Sequence, residues 1–212
     1  MLFNSYILNG QKVEIYLVSH DDTLKTQAVI EFWKSFFLEE MNFNFNDLLF
    51  SKLTNYRIHN AYLFAAFSDQ KCIGTLQASH QNLCELEFEY VSSDINQPVI
   101  EVSKLIIDKS YRNTFLKLLL MTTCQQYAIE KHSAYFICIN CTERLIDFYE
   151  TIGLKKVLDK VFIHPTLKNE CYLMYCSSAE FELICADFNL LISGQRRVNS
   201  IKSLRYLFPK NT

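Results

Sequence analysis

Three sets of residues in this 212-residue chain carry groups able to do chemistry. The first is Glu101, Ser103 and Lys104, inside the apolar run "VIEVSKLIID". It offers a carboxylate, a hydroxyl and an ammonium within four positions. The second is Tyr149, whose phenol follows Phe148 in "TERLIDFYETIG". The third is Glu85, Glu87 and Glu89 in "CELEFEYV", which could attract a cation or an amine. A solvated strand face explains that triplet equally simply. Other chemistries find little support. His20, His59, His80, His132 and His164 are scattered and form no metal-ligand spacing. Cys138 and Cys141 make one CxxC, with no second pair, and a strand would turn their side chains to opposite faces. No metal site is expected. There is also no Gly-x-Ser-x-Gly elbow and no Gly-Lys-Ser/Thr phosphate loop.

The elements that must position these groups follow from the hydrophobic pattern. With 50% apolar and 21% charged residues, and only 4 Gly and 3 Pro, the chain has the balance of a packed globular domain. The 17 Phe and 12 Tyr fill a core or line an apolar tunnel. Asn9-Gly10 signals a hairpin between two short strands. "DDTLKTQAVIEFWKSFFLEEM" reads as a helix capped by Asp21 or Asp22, with Leu24, Ala28, Phe32, Phe36 and Leu38 at near-helical spacing. Residues 42–56 suggest a shorter helix. "AYLFAAFS" and "KCIGTLQAS" are adjacent strands, "CELEFEYV" is strand-like, and "VIEVSKLIID" is a further strand. A long helix covers 111–132, and a buried strand follows in "AYFICIN". A helix capped by Thr142 and stopped by Gly153 comes next. Two closing strands and a C-terminal helix complete the order. A mixed α/β sheet with helices on both faces satisfies it.

The net charge of −2 gives no general grip on nucleic acid. Residues 194–210 hold Arg196, Arg197, Lys202, Arg205 and Lys210 without an acid. Such a tail suits an acidic partner or anionic lipid, or simply a solvated helix. Eight cysteines in apolar runs, with no signal peptide and no membrane-length apolar segment, point to a reducing cytoplasm.

The run "VIEVSKLIIDKSYRNTFLKLLLMTTCQQYA", followed by "INCTERLIDFYETIGLKKV", resembles the central block of GNAT (Gcn5-related N-acetyltransferase) acyltransferases. Glu101-Val102-Ser103-Lys104 is similar to the Glu-x-Ser-Arg strand start of a narrower group. That group comprises the acyl-homoserine-lactone autoinducer synthases and the long-chain N-acyl amino acid synthases. The resemblance implies a GNAT-like, mostly antiparallel central sheet over residues 1–178. Residues 179–212 would be a helical extension packed on the same domain. It implies an N-acyltransferase in which Glu101 deprotonates an amine such as an amino acid and Tyr149 protonates the leaving sulfur. Ser103, Lys104 and Gln77 would position substrate. Leu105, Ile106 and Ile107 would hold the donor's amide-rich arm through their backbone. Arg112 and Asn113, at a helix start, would meet a donor phosphate. No cofactor is tightly bound; the co-substrate is an acyl-pantetheine thioester.

Two departures sharpen this. Phe115 and Lys117 stand where coenzyme A users carry glycines, and bulk there blocks a pyrophosphate. A donor on acyl carrier protein, with its single phosphodiester, is therefore favoured over coenzyme A. Gln77 and Lys104 stand where the autoinducer group carries arginines, which favours a general N-acyl product over a lactone. The alternatives are an acetyl-coenzyme A-dependent N-acetyltransferase of a small amine or protein, and a catalytically degenerate GNAT-fold binding or effector module. Glu101 also suits a strand-end pairing with a surface cation, and Tyr149 a packed aromatic.

Overall fold

The computed structural model describes residues 1–43, 61–80, 98–129, 131, 136–164 and 169–193. Strands β1 (Leu2–Leu8) and β2 (Gln11–Val18) form the expected hairpin. Asn9 and Gly10 both take positive φ, as a two-residue turn of this hand requires. Helix α1 (Thr23–Met41) follows; the Asp22 side chain accepts from Lys25 N at 3.1 Å and caps it. Next come β3 (Tyr62–Ser68), β4 (Lys71–His80), β5 (Val99–Ile107) and α2 (Leu116–Cys124). The chain continues through β6 (Phe136–Cys141), α3 (Ile146–Thr151), β7 (Lys155–Ile163), β8 (Glu170–Ser177) and α4 (Ser178–Ile192).

Among the described residues the strands form one eight-stranded sheet in the order β1-β2-β3-β4-β5-β6-β8-β7. Every neighbouring pair is antiparallel except β5 with β6, which run parallel. The mixed, mostly antiparallel sheet with helices on both faces is thus present. One face packs α2 and α4 against strand residues such as Phe64, Leu76, Val102, Ile139 and Met174. The other packs Val29, Trp33 and Phe37 of α1 against Leu63, Ala65, Phe67 and Ile106. Gly74 is where α2 presses closest: a Cβ there would meet Ile107 and Leu116 side chains, each at 3.1 Å. Among the described residues no helix is long and apolar enough to cross a membrane.

Three local expectations change. The buried face of α1 is Val29, Trp33 and Phe37, whereas Leu24 and Leu38 are exposed. This helix is apolar on two adjacent sides, so spacing alone does not choose between them. The helix expected from residue 111 begins at Leu116. Before it, Asp108 accepts from Ser110 N and O–H, and Thr114 Oγ1 donates to Tyr111 O and accepts from Leu116 N. These side-chain bonds hold tight turns in place of helix. Past Cys124 the coil widens to π-helical turns over Gln125–Ile129. Lastly, Thr142 starts only a short 3₁₀ turn, and its hydroxyl gives no cap. The helix expected at 42–56, the strand at 84–91 and the basic tail at 194–210 lie outside the described residues, apart from Asn42 and Phe43, which follow α1 without helix.

Candidate active site

The expected donor edge is a break in strand pairing. β5 pairs with β6 from Val99 opposite Phe136 to Val102 opposite Ile139, and the register ends there. β5 itself runs on to Ile107, paired to β4. From Ser103 to Ile107 its β6-facing edge is therefore open among the described residues. Ser103, Lys104 and Leu105 are half-buried there, between buried residues on either side. A β-bulge lies at this point. Gln77 pairs with Ser103 and Thr75 with Ile106, so Lys104 and Leu105 share the place opposite Leu76. Lys104 takes φ +50°, a left-handed conformation uncommon for a side chain of this size. A bulge of this kind bends its strand and adds twist, which separates β5 from β6.

On the α1 side of the sheet the register gathers polar groups. Leu63 and Ala65, both in the α1 core, stand opposite Gln77 and Thr75. Directly paired residues share a face, so Thr75, Gln77 and Ser79 point to the α1 side. Ser79 pairs with Glu101 and Gln77 with Ser103, which places Glu101 and Ser103 there too. Glu101 is 0% exposed, as are Thr75 and Gln77. Lys104 Nζ donates to Gln77 Oε1 at 2.6 Å and lies 5.1 Å from the centroid of the Trp33 ring. The two residues expected to position substrate are thus bonded to each other. The Ser79 and Ser103 hydroxyls are buried and find no partner among the described residues. An unsatisfied buried polar group costs about 1–3 kcal/mol, so this cluster weakens the fold unless a ligand or further chain completes it.

Tyr149 lies on the other side. It belongs to the core that α2 and α4 cover, and stands near Cys141. Burial pushes its phenol well above the ordinary value, so it stays protonated. Glu101 and Tyr149 consequently face opposite sides of the sheet. Between them, the β5–β6 pairing ends at Val102 opposite Ile139.

At the far end of β5, Arg112 is engaged. Its Nε donates to Ile107 O at 3.1 Å, and its Nη2 pairs with Glu40 on the last turn of α1. Lys109 approaches Glu39 at 3.9 Å, and Lys71 pairs with Asp108 at 3.1 Å. Asn113 is exposed nearby. Phe115 precedes α2 and gives it no side-chain cap; the Thr114 hydroxyl accepts from Leu116 N instead. Lys117, in the first turn, lies 5.9 Å from the Phe148 ring centroid, and burial lowers its pKa. Lys117 is a desolvated cation joining the start of α2 to α3. The sequence marked it only as bulk in place of a glycine, not as a cation at the site. A cleft of about 450 Å³ runs between α1, the β3–β4 turn and Asp108. Its walls include Glu31, Phe32, Phe36, Glu39, Glu40 and Lys109, but neither Glu101 nor Tyr149.

The model of the N-acyl amino acid synthase FeeM family matches residues 51–177, more than half of the chain. The chain belongs to this family. FeeM itself, an N-acyl amino acid synthase from uncultured soil microbes, has a similar structure. It aligns at TM-score 0.60 and 15% identity over 81% of this chain and 92% of that one. BjaI, a coenzyme A-dependent acyl-homoserine lactone synthase solved with MTA, aligns at TM-score 0.64 and 11% identity, covering 82% and 89%. A GNAT-family acetyltransferase from Staphylococcus aureus Mu50 aligns at 0.55 and 18%, covering 78% and 99%. At these identities the structural likeness speaks for the fold. No curated protein matches by sequence. The FeeM-family membership makes this chain an acyltransferase, and the structural likeness gives it a GNAT-like fold. Among the described residues no three His, Cys, Asp or Glu are placed to hold a metal. Cys72, Cys124, Cys141, Cys171, Cys176 and Cys185 are buried, and burial raises the Cys72, Cys141 and Cys176 thiols to about 12.

Proposed function

We propose that this chain moves a long acyl group from a pantetheine thioester to the amine of an acceptor such as an amino acid. The open β5 edge from Ser103 to Ile107, with a buried carboxylate on one side and a buried phenol on the other, carries the reading. The donor's pantetheine arm lies along that edge and bonds to the backbone of Leu105, Ile106 and Ile107 as a further strand would. Its thioester reaches the gap beyond Val102. The acceptor enters from the α1 side, where Ser103, Gln77 and Lys104 position it.

Glu101 takes a proton from the ammonium, and the freed amine attacks the thioester carbon. The N–C bond forms and negative charge gathers on the carbonyl oxygen, which strand N–H groups hold. The C–S bond then breaks. Tyr149 is held above its ordinary pKa, so it is a weak acid. It serves the departing thiolate by donating a hydrogen bond that strengthens as charge develops, with the proton following to sulfur; the nitrogen gives up its second proton as the amide forms, and that proton, carried by water, restores the phenol.

Phe115 and Lys117 in place of glycines favour acyl carrier protein over coenzyme A. Arg112, Asn113 and Lys117 supply the contacts for its single phosphodiester. The acyltransferase domain spans residues 1–178, followed by an extension over 179–212, and the basic tail at 194–210 suits an acidic carrier. The setting is cytoplasmic, with no tightly bound cofactor. The pairing of Arg112 with Glu40 favours a second reading, a binding module whose donor site is closed. Incubation with a panel of acyl-carrier-protein and coenzyme A thioesters, over a broad amine panel, separates the two. Thiol release with carrier-bound long-chain donors is expected. Release from none of them would leave the binding module.

A further inference from the structure

We propose that Thr75, locked by Trp33, is a positioning residue that sets the β5 bulge and aims the Leu105 peptide N–H at the developing oxyanion. The proposal rests on the acyl-transfer reading above. Trp33 Nε1 donates to Thr75 Oγ1 at 2.9 Å, and Thr75 Oγ1 lies 2.9 Å from Lys104 O. Trp33 and Thr75 are both 0% exposed. A threonine hydroxyl has one proton to give. The indole N–H can only donate, so it takes one of the hydroxyl's lone pairs, and the single proton goes to Lys104 O. The chain therefore has one direction, from α1 through β4 to the backbone of β5.

The consequence lies in the peptide between Lys104 and Leu105. In a regular ladder the Lys104 carbonyl would lie in the sheet plane and accept from a neighbouring strand. Here it is turned onto a side chain of the α1 face. A trans peptide points its N–H opposite to its C=O. The Leu105 N–H is thereby directed away from Thr75, toward the side on which Tyr149 lies. Lys104 holds the left-handed φ of +50° that this turn demands. The same indole steadies it a second time, since the Lys104 ammonium lies 5.1 Å from the ring centroid while bonding Gln77. Bulk packing does not require these bonds. A valine would fill the Thr75 site, but it would leave the indole N–H and the Lys104 carbonyl without this partner.

The test compares Thr75→Val, Thr75→Ser and Trp33→Phe, with kcat and both KM values read from thiol release. Thr75→Val is expected to lower kcat by roughly tenfold to a hundredfold, as displacement of an oxyanion donor does. Both KM values should stay within about twofold, the pattern of a contact made only in the transition state. Thr75→Ser should restore kcat. Trp33→Phe, which leaves the hydroxyl bonded but free to swing, should fall between. Trp33 is the one tryptophan in the chain, so its emission reports the indole bond directly and should shift to shorter wavelength in Thr75→Val. Wild-type kcat in Thr75→Val, an equal loss in Thr75→Ser, or a loss confined to KM would overturn the proposal. If the wild-type protein releases no thiol from any donor, the acyl-transfer reading fails separately. The relay is then judged by amide hydrogen exchange at 104–107. Thr75→Val should speed it about tenfold, and unchanged exchange would refute it. Should Thr75→Val not fold, Trp33→Phe compared with Thr75→Ser carries the kinetic and exchange readouts, and wild-type kcat in Trp33→Phe would overturn the proposal.

Discussion

On the α2–α4 side of the sheet, the core is continuous and almost wholly apolar: Leu116, Leu118, Leu120, Phe181 and Phe188 lie over Phe64, Leu76 and Ile137. On the α1 side, a smaller core gives way to Thr75, Gln77, Ser79, Glu101 and Ser103. One sheet thus has a face that supplies stability and a face that spends it. A carboxylate is buried on strands whose other side packs the main core, and that core is what keeps it in place.

Substitutions can break this contrast. Phe181 is fully buried in the main core. Phe181→Ala should cost about 3–5 kcal/mol of unfolding free energy, read by urea denaturation. Glu101→Gln should act the other way round. It removes the proposed base while keeping shape, so thiol release with saturating amine should fall by about a hundredfold or more. The urea midpoint should change little, because the amide keeps the shape of the carboxylate. A large stability loss with activity intact would reverse the roles assigned to the two faces.

A smaller effect is expected where the faces meet at the end of β5. Glu40→Gln releases Arg112, and affinity for phosphate-bearing donors should rise several-fold, about 1 kcal/mol and less than one whole charge-assisted bond. Calorimetric titration with 4′-phosphopantetheine checks it, with unphosphorylated pantetheine as the control. The smallest effect concerns the start of α4, where Ser177 and Glu180 make a capping box. The Lys155 ammonium, with the Ser177 N–H and hydroxyl, lowers the Glu180 pKa to about 2. An unfolded Glu titrates near ~4.3. This carboxylate's contribution is therefore complete above that value and is lost as pH falls from about 4.3 toward 2. Lys155→Met should flatten the stability curve in that window and leave it unchanged in shape near pH 7. A flattening centred near neutral pH would point to a different group.

Much of the frame was legible because its signals are local. Asn9-Gly10 needed only two residues to fix its turn. Asp22 caps α1 from within a single turn. Glu101, Ser103 and Lys104 could be singled out from a four-residue motif. What stayed hidden are bonds between distant parts of the chain. Trp33 reads as one aromatic among many until the fold sets Thr75 beneath it. Arg112 reads as a free phosphate ligand until the last turn of α1 brings Glu40 alongside. Helix α1 shows the same limit: with Phe32 and Phe36 on one side and Trp33 and Phe37 on the next, only the sheet it meets decides which side is core.

The amino-acid sequence by itself determined the order of strands and helices, the family block and the residue types on the β5 edge, since periodicity, turn chemistry and motif spacing act over a few positions. The tertiary structure alone decided that Glu101 and Tyr149 lie on opposite faces of the sheet, that β5 parts from β6 after Val102, and that the Lys104 carbonyl turns toward α1. Those outcomes depend on register between strands and on packing across the sheet, where one residue's slip would send every side chain to the other face.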